Sequence, residues 1–363
     1  MSSPLERDIR ARIAAHGPMP VADYMALCLA DARHGYYVTR DPLGARGDFI
    51  TAPEVSQMFG ELIGLWMAAV WQQMGAPARV RLIELGPGRG TLMSDALRAA
   101  KVMPGFLAAA SVHFVEISPA LKAKQQETLR GTAPPLSWHA SLDEVPDGPI
   151  IVVANEFFDA LPVHQAVKTA RGWCERRVGV AGDKLIVTHA DTPIAGLEAR
   201  LPASAREAAA GAIFEWRDDD TALTLGRRIF RDGGAALVID YGHAASAVGE
   251  TLQAIGRHAF ADPLATPGEL DLTAHVDFEA LARAVTATGA VAFGPLTQEE
   301  LLGRLGIAAR AAKLKAKAPP DTAAQIDAAL ARLTGSGRGE MGTLFKAIAV
   351  AHPALGAPPA FES

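Results

Sequence analysis

The sequence has no apolar run near the roughly 18 residues that a membrane-spanning helix requires. Its longest such stretch covers residues 62–71, so nothing in the sequence signals insertion into lipid. Cysteine is almost absent: Cys28 and Cys174 are the only two, too few and too isolated for a disulfide framework or a thiolate metal site. The 10 histidines show no H-E-x-x-H or comparable spacing, and no metal is expected. A long basic tract is also missing, and 35 basic against 40 acidic residues leave a formal charge of −5. Nucleic acid is therefore not an expected partner. The first twenty residues lack an apolar core and mix Glu6 and Asp8 with arginines, unlike a secretory signal or an acid-poor transit peptide. A cytoplasmic location is the expectation.

What is present fits a globular enzyme: 363 residues, 49% hydrophobic and 21% charged, enough for one large α/β domain with additions or for two domains. The opening eighty residues have helical patterning. T-A-P-E at residues 51–54 predicts a helix start, with Thr51 as N-cap, Pro53 in the first turn and Glu54 reaching back as a capping box. Val55, Met58, Phe59, Leu62, Ile63, Trp66, Met67, Val70 and Trp71 then recur at steps that put them on one apolar stripe.

From Val80 the pattern changes to short apolar runs separated by helical segments: V-R-L-I-E-L, S-V-H-F-V-E-I, L-S-W-H, I-I-V-V-A-N and, much later, A-A-L-V-I-D. Apolar strands alternating with helices predict a Rossmann-like α/β fold, a mostly parallel sheet covered on both faces. The predicted organisation is an N-terminal helical region at 1–78, a core at 79–162 and 232–352, an inserted lid or substrate subdomain at 163–231, and a flexible tail at 353–363. The insertion is too long to be a plain connection and contains a hairpin turning at Gly182 and Asp183.

Four predicted strands end in a polar residue, Glu84, Glu116, Asn155 and Asp240; ligands of open parallel sheets bind beyond that edge. E-L-G-P-G-R-G at 84–90 places Gly86, Gly88 and Gly90 between the first strand and a helix, where backbone N–H groups can approach a ligand. A dinucleotide fingerprint is G-x-G-x-x-G; here the third glycine comes one residue early, giving the acid-x-G-x-G-x-G form of methyltransferases. S-adenosyl-L-methionine is accordingly the expected cofactor, held by the loop of Glu84 and the glycines. Glu116, 26 residues beyond Gly90, with Ile117 beside it, is placed to accept from the ribose hydroxyls. Ser141 and Leu142 fall where an adenine edge would lie, and Asn155 closes the set. N-E-F-F-D-A-L-P at 155–162 supplies Glu156 and Asp159, which could orient an acceptor and take a proton during transfer, or could cap the following helix. Residues alone leave open a small-molecule or lipid methyltransferase, a non-catalytic assembly factor and, least favoured, a dehydrogenase.

H-G-Y-Y at 34–37, G-D-F-I-T-A-P-E at 47–54, the glycine loop, N-E-F-F-D-A-L-P, V-I-D-Y-G at 238–242, D-L-T-A-H-V-D-F at 271–278 and M-G-T-L-F-K at 341–346 occur in that order. Together they resemble the family of the mitochondrial complex I assembly-factor methyltransferase, called MidA in some organisms, from about residue 20 to 350. The resemblance implies a class I methyltransferase fold, whose seven-stranded sheet ends in an antiparallel strand. It also implies a protein substrate, an NADH dehydrogenase subunit in which an arginine is symmetrically dimethylated. Gly86, Gly88, Gly90 and Glu116 would then hold the cofactor and residues 155–159 face the acceptor; arginine specificity comes from the resemblance, with the paired acids compatible. Secondary candidates are a His275–Asp277 dyad, for which an Asp277 N-cap is the favoured alternative; Tyr36 and Tyr37 along an arginine channel; and a basic helical run of Arg304, Arg310, Lys313, Lys315 and Lys317 that could dock an acidic partner.

Overall fold

The computed structural model describes residues 3–39, 51–256 and 259–362. The motif residues 47–50, and Arg257 and His258, lie outside them. The chain divides into two compact units, each assembled from three separate segments. One comprises Met1–Phe49, Asp159–Asp218 and Ala245–Asp277, the other Ile50–Phe158, Asp219–Ala244 and Phe278–Ser363.

The second unit holds the predicted sheet. Seven strands, β1 (Val80–Leu85), β2 (Ala110–Val115), β3 (Leu136–His139), β4 (Ile150–Asn155), β5 (Gly234–His243), β6 (Val291–Thr297) and β7 (Phe345–Ala351), run side by side in the order β3-β2-β1-β4-β5-β7-β6. The first five are mutually parallel, and β7 runs antiparallel to both β5 and β6. Every residue of β4 is buried, which is why its sequence is a continuous apolar run instead of an alternation. The chain winds outward from β1 to β3 and then returns to β4 beside β1, so the order reverses between β1 and β4, and a ligand crevice belongs at their carboxyl ends.

Helix α1 (Gln57–Gln73) carries the expected stripe, with Phe59, Ile63, Trp66, Met67 and Val70 buried in the main core. Each such side chain contributes about 1.5–3 kcal/mol on burial. Its start differs from the prediction. Residues 52–55 form one separate turn, Thr51 makes no side-chain cap, and the long helix begins after Ser56, whose hydroxyl accepts from the Met58 N–H at 3.2 Å. Glu54 accepts instead from the Thr91 hydroxyl at 2.5 Å. Thr91 opens helix α2 (Thr91–Ala99) directly after the glycine loop, so Glu54 ties the approach to α1 to the head of α2.

Helix α4 (Asp220–Asp232), which follows α3 (Pro119–Thr128) among the covering helices, carries a buried arginine. Arg228 donates to the carbonyls of Leu142, Val145 and Pro146 at 2.7, 2.9 and 3.0 Å and pairs with Asp232 at 2.7 Å. It clamps the segment that contains Ser141 and Leu142. Replacing Arg228 by methionine strands three carbonyls while Asp232 keeps its pair with Arg231, and a stability loss of about 1–3 kcal/mol is expected. Urea unfolding followed by circular dichroism measures it; a change under about 1 kcal/mol would mean that water replaces the clamp.

The residues expected to fray are packed. Phe361 belongs to the main core, the Trp66 indole donates to the Pro359 carbonyl at 3.0 Å, and Gln73 donates to the carbonyls of Leu355 and Ala357. The basic run is largely occupied within its own unit: Arg310 pairs with buried Glu61, Lys315 with Asp327, and Arg304 donates to the Ala360 carbonyl. Lys313 and Lys317 are exposed.

The first unit contains helices Pro4–His16 and Val21–Ala30 and a five-stranded sheet. The hairpin turns where the sequence predicts: Gly172–Ala181 pairs antiparallel with Lys184–Pro193 through Ala181 and Lys184, with Gly182 left-handed. The division is not the predicted one, because residues 163–231 do not make a body by themselves. Leu5, Ile9, Tyr24 and Met25 share one cluster with Val163, Val178, Ala254 and Leu272, so three distant segments are needed to bury a single core. Among the described residues, no helix is long and apolar enough to cross a membrane.

Candidate cofactor and acceptor site

At the carboxyl end of β1 the backbone turns through Gly86, Gly88 and Gly90, all with positive φ, at 61°, 53° and 81°. The turn is closed by a 2.8 Å bond from the Gly90 N–H to the Pro87 carbonyl. Gly86 meets a second constraint: a Cβ there would lie 2.9 Å from Cδ2 of Phe157, so the loop after β1 packs against the turn after β4.

Glu84 is almost wholly buried. Its Oε2 has no hydrogen-bond partner among the described residues, and burial pushes its carboxyl up to about 8. A buried acid with no cation against it among the described residues is poised to pair with a cationic ligand group. Glu116, after β2, accepts from the Ser118 N–H at 2.8 Å and from the Gln125 amide at 3.0 Å. Burial raises its carboxyl, opposed by those same two donors. Each carboxylate oxygen keeps a further lone pair for a hydroxyl. Ile117 beside it is half exposed, at 53%, an apolar surface next to a polar anchor. Ser141 is exposed, and Leu142 is buried with its carbonyl held by Arg228.

The turn after β4 is the most constrained part. Asn155 is buried, its amide nitrogen donates to Glu156 Oε1 at 3.1 Å, and its Oδ1 has no partner among the described residues. Glu156 has φ +51°, uncommon for any residue other than glycine and concentrated at functional turns. Its carboxylate also accepts from the Ala52 N–H at 3.3 Å. The conformation is enforced from β5: Asp240, fully buried, accepts from the N–H groups of Phe157 and Phe158 at 3.2 and 3.0 Å. Asp240 thus presents Glu156 without being a plain strand-end ligand.

The sequence-predicted residues Glu84, Gly86, Gly88, Gly90, Glu116, Ile117, Ser141, Leu142, Asn155 and Glu156 all lie in the sheet unit. Asp159 opens the other unit, where its carbonyl accepts from the Ala274 N–H and from Arg217. In that unit Tyr37 donates to Asp271 at 2.8 Å, and burial pushes its phenol well above the usual range. The Asp277 carboxylate accepts from the Ser246 hydroxyl at 2.6 Å, while the main chain of His275 is held by Thr251 and Arg217. Reasoning from sequence missed Gln125 and Arg228; their signals are a glutamine spaced four residues from both Leu121 and Leu129, and an Arg–Asp pair at i,i+4 on a helix.

Comparison with known proteins decides the class. Residues 62–296 match the S-adenosyl-L-methionine-dependent methyltransferase family. The chain belongs to that family. A structure from Burkholderia thailandensis with S-adenosyl-homocysteine bound is 31% identical, with a TM-score of 0.83 over 99% of this chain and 92% of that one. Animal relatives named protein arginine methyltransferase NDUFAF7, mitochondrial, match along most of their length. The human protein is 39% identical, covering 85% of this chain and 74% of its own, and a Drosophila melanogaster homologue is 37% identical, covering 95% and 84%. Those relatives are named as mitochondrial, which overturns the cytoplasmic expectation: the make-up of the first twenty residues does not establish a location.

As a methyltransferase the protein uses S-adenosylmethionine, and the residues present suit that ligand. The buried Glu84 oxygen without a partner among the described residues suits a cationic amino-acid end, Glu116 retains lone pairs for a diol, and the left-handed glycine turn brings bare backbone to the strand edge.

Proposed function

We propose that this methyltransferase acts on an arginine side chain of a protein, and that its client is an NADH dehydrogenase subunit, dimethylated symmetrically. The observation that carries this reading is identity over most of the chain to proteins named arginine methyltransferases. In the proposed site Glu84 and the glycine loop hold the amino-acid end of the cofactor, Glu116 the ribose, Ile117 and Leu142 flank the adenine with Ser141 at its edge, and Asn155 faces the donor side. The bound cofactor supplies an electrophilic methyl group on a sulfonium. A guanidinium has a pKa above about 12, so the chain must orient it and accept its proton as the new N–C bond forms. Glu156, anchored by Asn155 and the Ala52 N–H, offers a carboxylate for both tasks, and Asp159 is the second acid proposed.

Incubation with labelled donor and a client-containing extract tests the reading. Label is expected in one protein, on an arginine carrying a methyl on each terminal nitrogen; label on lysine, or in a lipid or small-molecule fraction, would overturn it. The role of Glu84 gives a pH prediction. Below about 8 its carboxyl is largely protonated before ligand binds, and pairing with a cation requires the carboxylate. Cofactor affinity should therefore rise between about pH 6 and 7.5 by up to roughly tenfold per unit, with release of a proton on binding. Calorimetry in buffers of different ionisation enthalpy measures the proton; Glu84→Gln should abolish the slope, and an unchanged slope would remove Glu84 from the contact.

A further inference from the structure

Gln125 sits on helix α3 with none of its surface exposed. Its Nε2 donates to the Gly88 carbonyl at 2.7 Å and to Glu116 Oε2 at 3.0 Å, and its Oε1 accepts from the Trp138 indole at 2.8 Å. Because an indole N–H can only donate, Trp138 fixes which end of the amide is oxygen. Both amide hydrogens are thereby directed at the glycine loop and the ribose acid. The ends of β1, β2 and β3 are joined through this one side chain.

We infer that Gln125 is a positioning residue for the cofactor, setting the glycine loop and the Glu116 carboxylate as one unit. Two consequences follow from elementary geometry and electrostatics. In a trans peptide the carbonyl and the following N–H point in opposite directions, so holding the Gly88 carbonyl toward α3 aims the Arg89 N–H to the other side of the loop. An amide donor also favours the charged form of Glu116, whereas burial opposes it, and the carboxylate is the form that leaves both oxygens free of a hydrogen of their own to accept from two hydroxyls. A neutral amide suits this place: a carboxylic acid would have one hydrogen for two acceptors, and a cationic side chain would carry charge into a fully buried position.

The inference rests on Glu116 holding the ribose, and the test separates the two. S-adenosylhomocysteine binding would be measured by calorimetry for wild type, Gln125→Met, Glu116→Gln and the double variant, with circular dichroism to verify folding. Gln125→Met is expected to weaken binding about 10- to 100-fold, the effect of losing a hydrogen bond to a charged group. The same change should cost several-fold less when Glu116 is already glutamine. Gln125→Glu provides a second reading should the methionine variant fail to fold. Its Kd relative to wild type should climb as pH rises and two carboxylates come to face each other, a dependence that loss of packing alone would not produce. Wild-type affinity in folded Gln125→Met, equal costs in both backgrounds, or a pH-independent ratio for Gln125→Glu would each overturn the inference while leaving the ribose assignment standing. Undiminished binding by Glu116→Gln would remove that assignment and the inference with it.

Discussion

Glu156→Gln is expected to lower kcat about 10²- to 10⁴-fold, the range for removing a positioned general base, while S-adenosylmethionine binding changes by no more than a few-fold. The asymmetry follows from the structure. The Glu156 main chain is fixed independently of its side chain: its N–H donates to the Ile239 carbonyl at 2.9 Å, and Asp240 holds the next two N–H groups. Glutamine can keep an oxygen toward the Ala52 N–H and the Asn155 amide, so the turn should survive. What it lacks is negative charge beside the acceptor and a place for the proton. Single-turnover kinetics with labelled donor, alongside equilibrium binding, separates the two quantities. A variant that keeps wild-type kcat would show that Glu156 is a structural turn residue and that the acceptor is deprotonated elsewhere.

Gly86→Val should abolish measurable cofactor binding, and for a different reason. At φ +61° an L-residue costs roughly 1–2 kcal/mol, more when β-branched. The added Cβ would also stand 2.9 Å from Phe157 Cδ2, forcing apart the two turns that frame the crevice. Combined strain and displacement are expected to weaken binding at least about 100-fold. Gly17→Val is the control: its φ is +83° with nothing within 4 Å of the added atom, and it ends a helix in the other unit. It should lower stability yet leave binding alone. Equal loss of binding in both variants would mean that general instability, and not the cradle, is responsible.

The sheet was largely legible in the sequence because strands buried on both faces are apolar throughout; residues 80–85, 110–115, 136–139 and 150–155 are strands within two residues of the apolar runs, and the strand at 234–243 outlasts its run by three. The glycine loop and the acids at strand ends were equally visible, since their chemistry is local. Other features were not. Thr51 and Glu54 satisfy a local capping pattern, but a partner 37 residues away, Thr91, takes the Glu54 carboxylate, and no window along the chain contains that competition. The unit boundaries were hidden for the same reason: a core shared by Leu5, Val178 and Leu272 has no continuous segment to betray it. Proline and alanine near the C terminus suggested fraying, yet Phe361 finds a site in the main core, and packing overrides composition. Gln125 was invisible as a hub because one of two adjacent glutamines between leucines says nothing about which carbonyls and carboxylates will meet it.

The place of β7 has a consequence for how the protein comes to be folded. It is the last of the seven strands along the chain, yet it lies between β5 and β6. Until residues 345–351 have been synthesised, β5 presents a naked main-chain edge in an apolar sheet, and the segment that becomes β6 has no partner in it. Growth at about 5–20 residues per second leaves that edge open for several seconds after β5 emerges. Unprotected edges recruit other strands, so a premature stop upstream of Phe345 should yield aggregates in place of a smaller active protein.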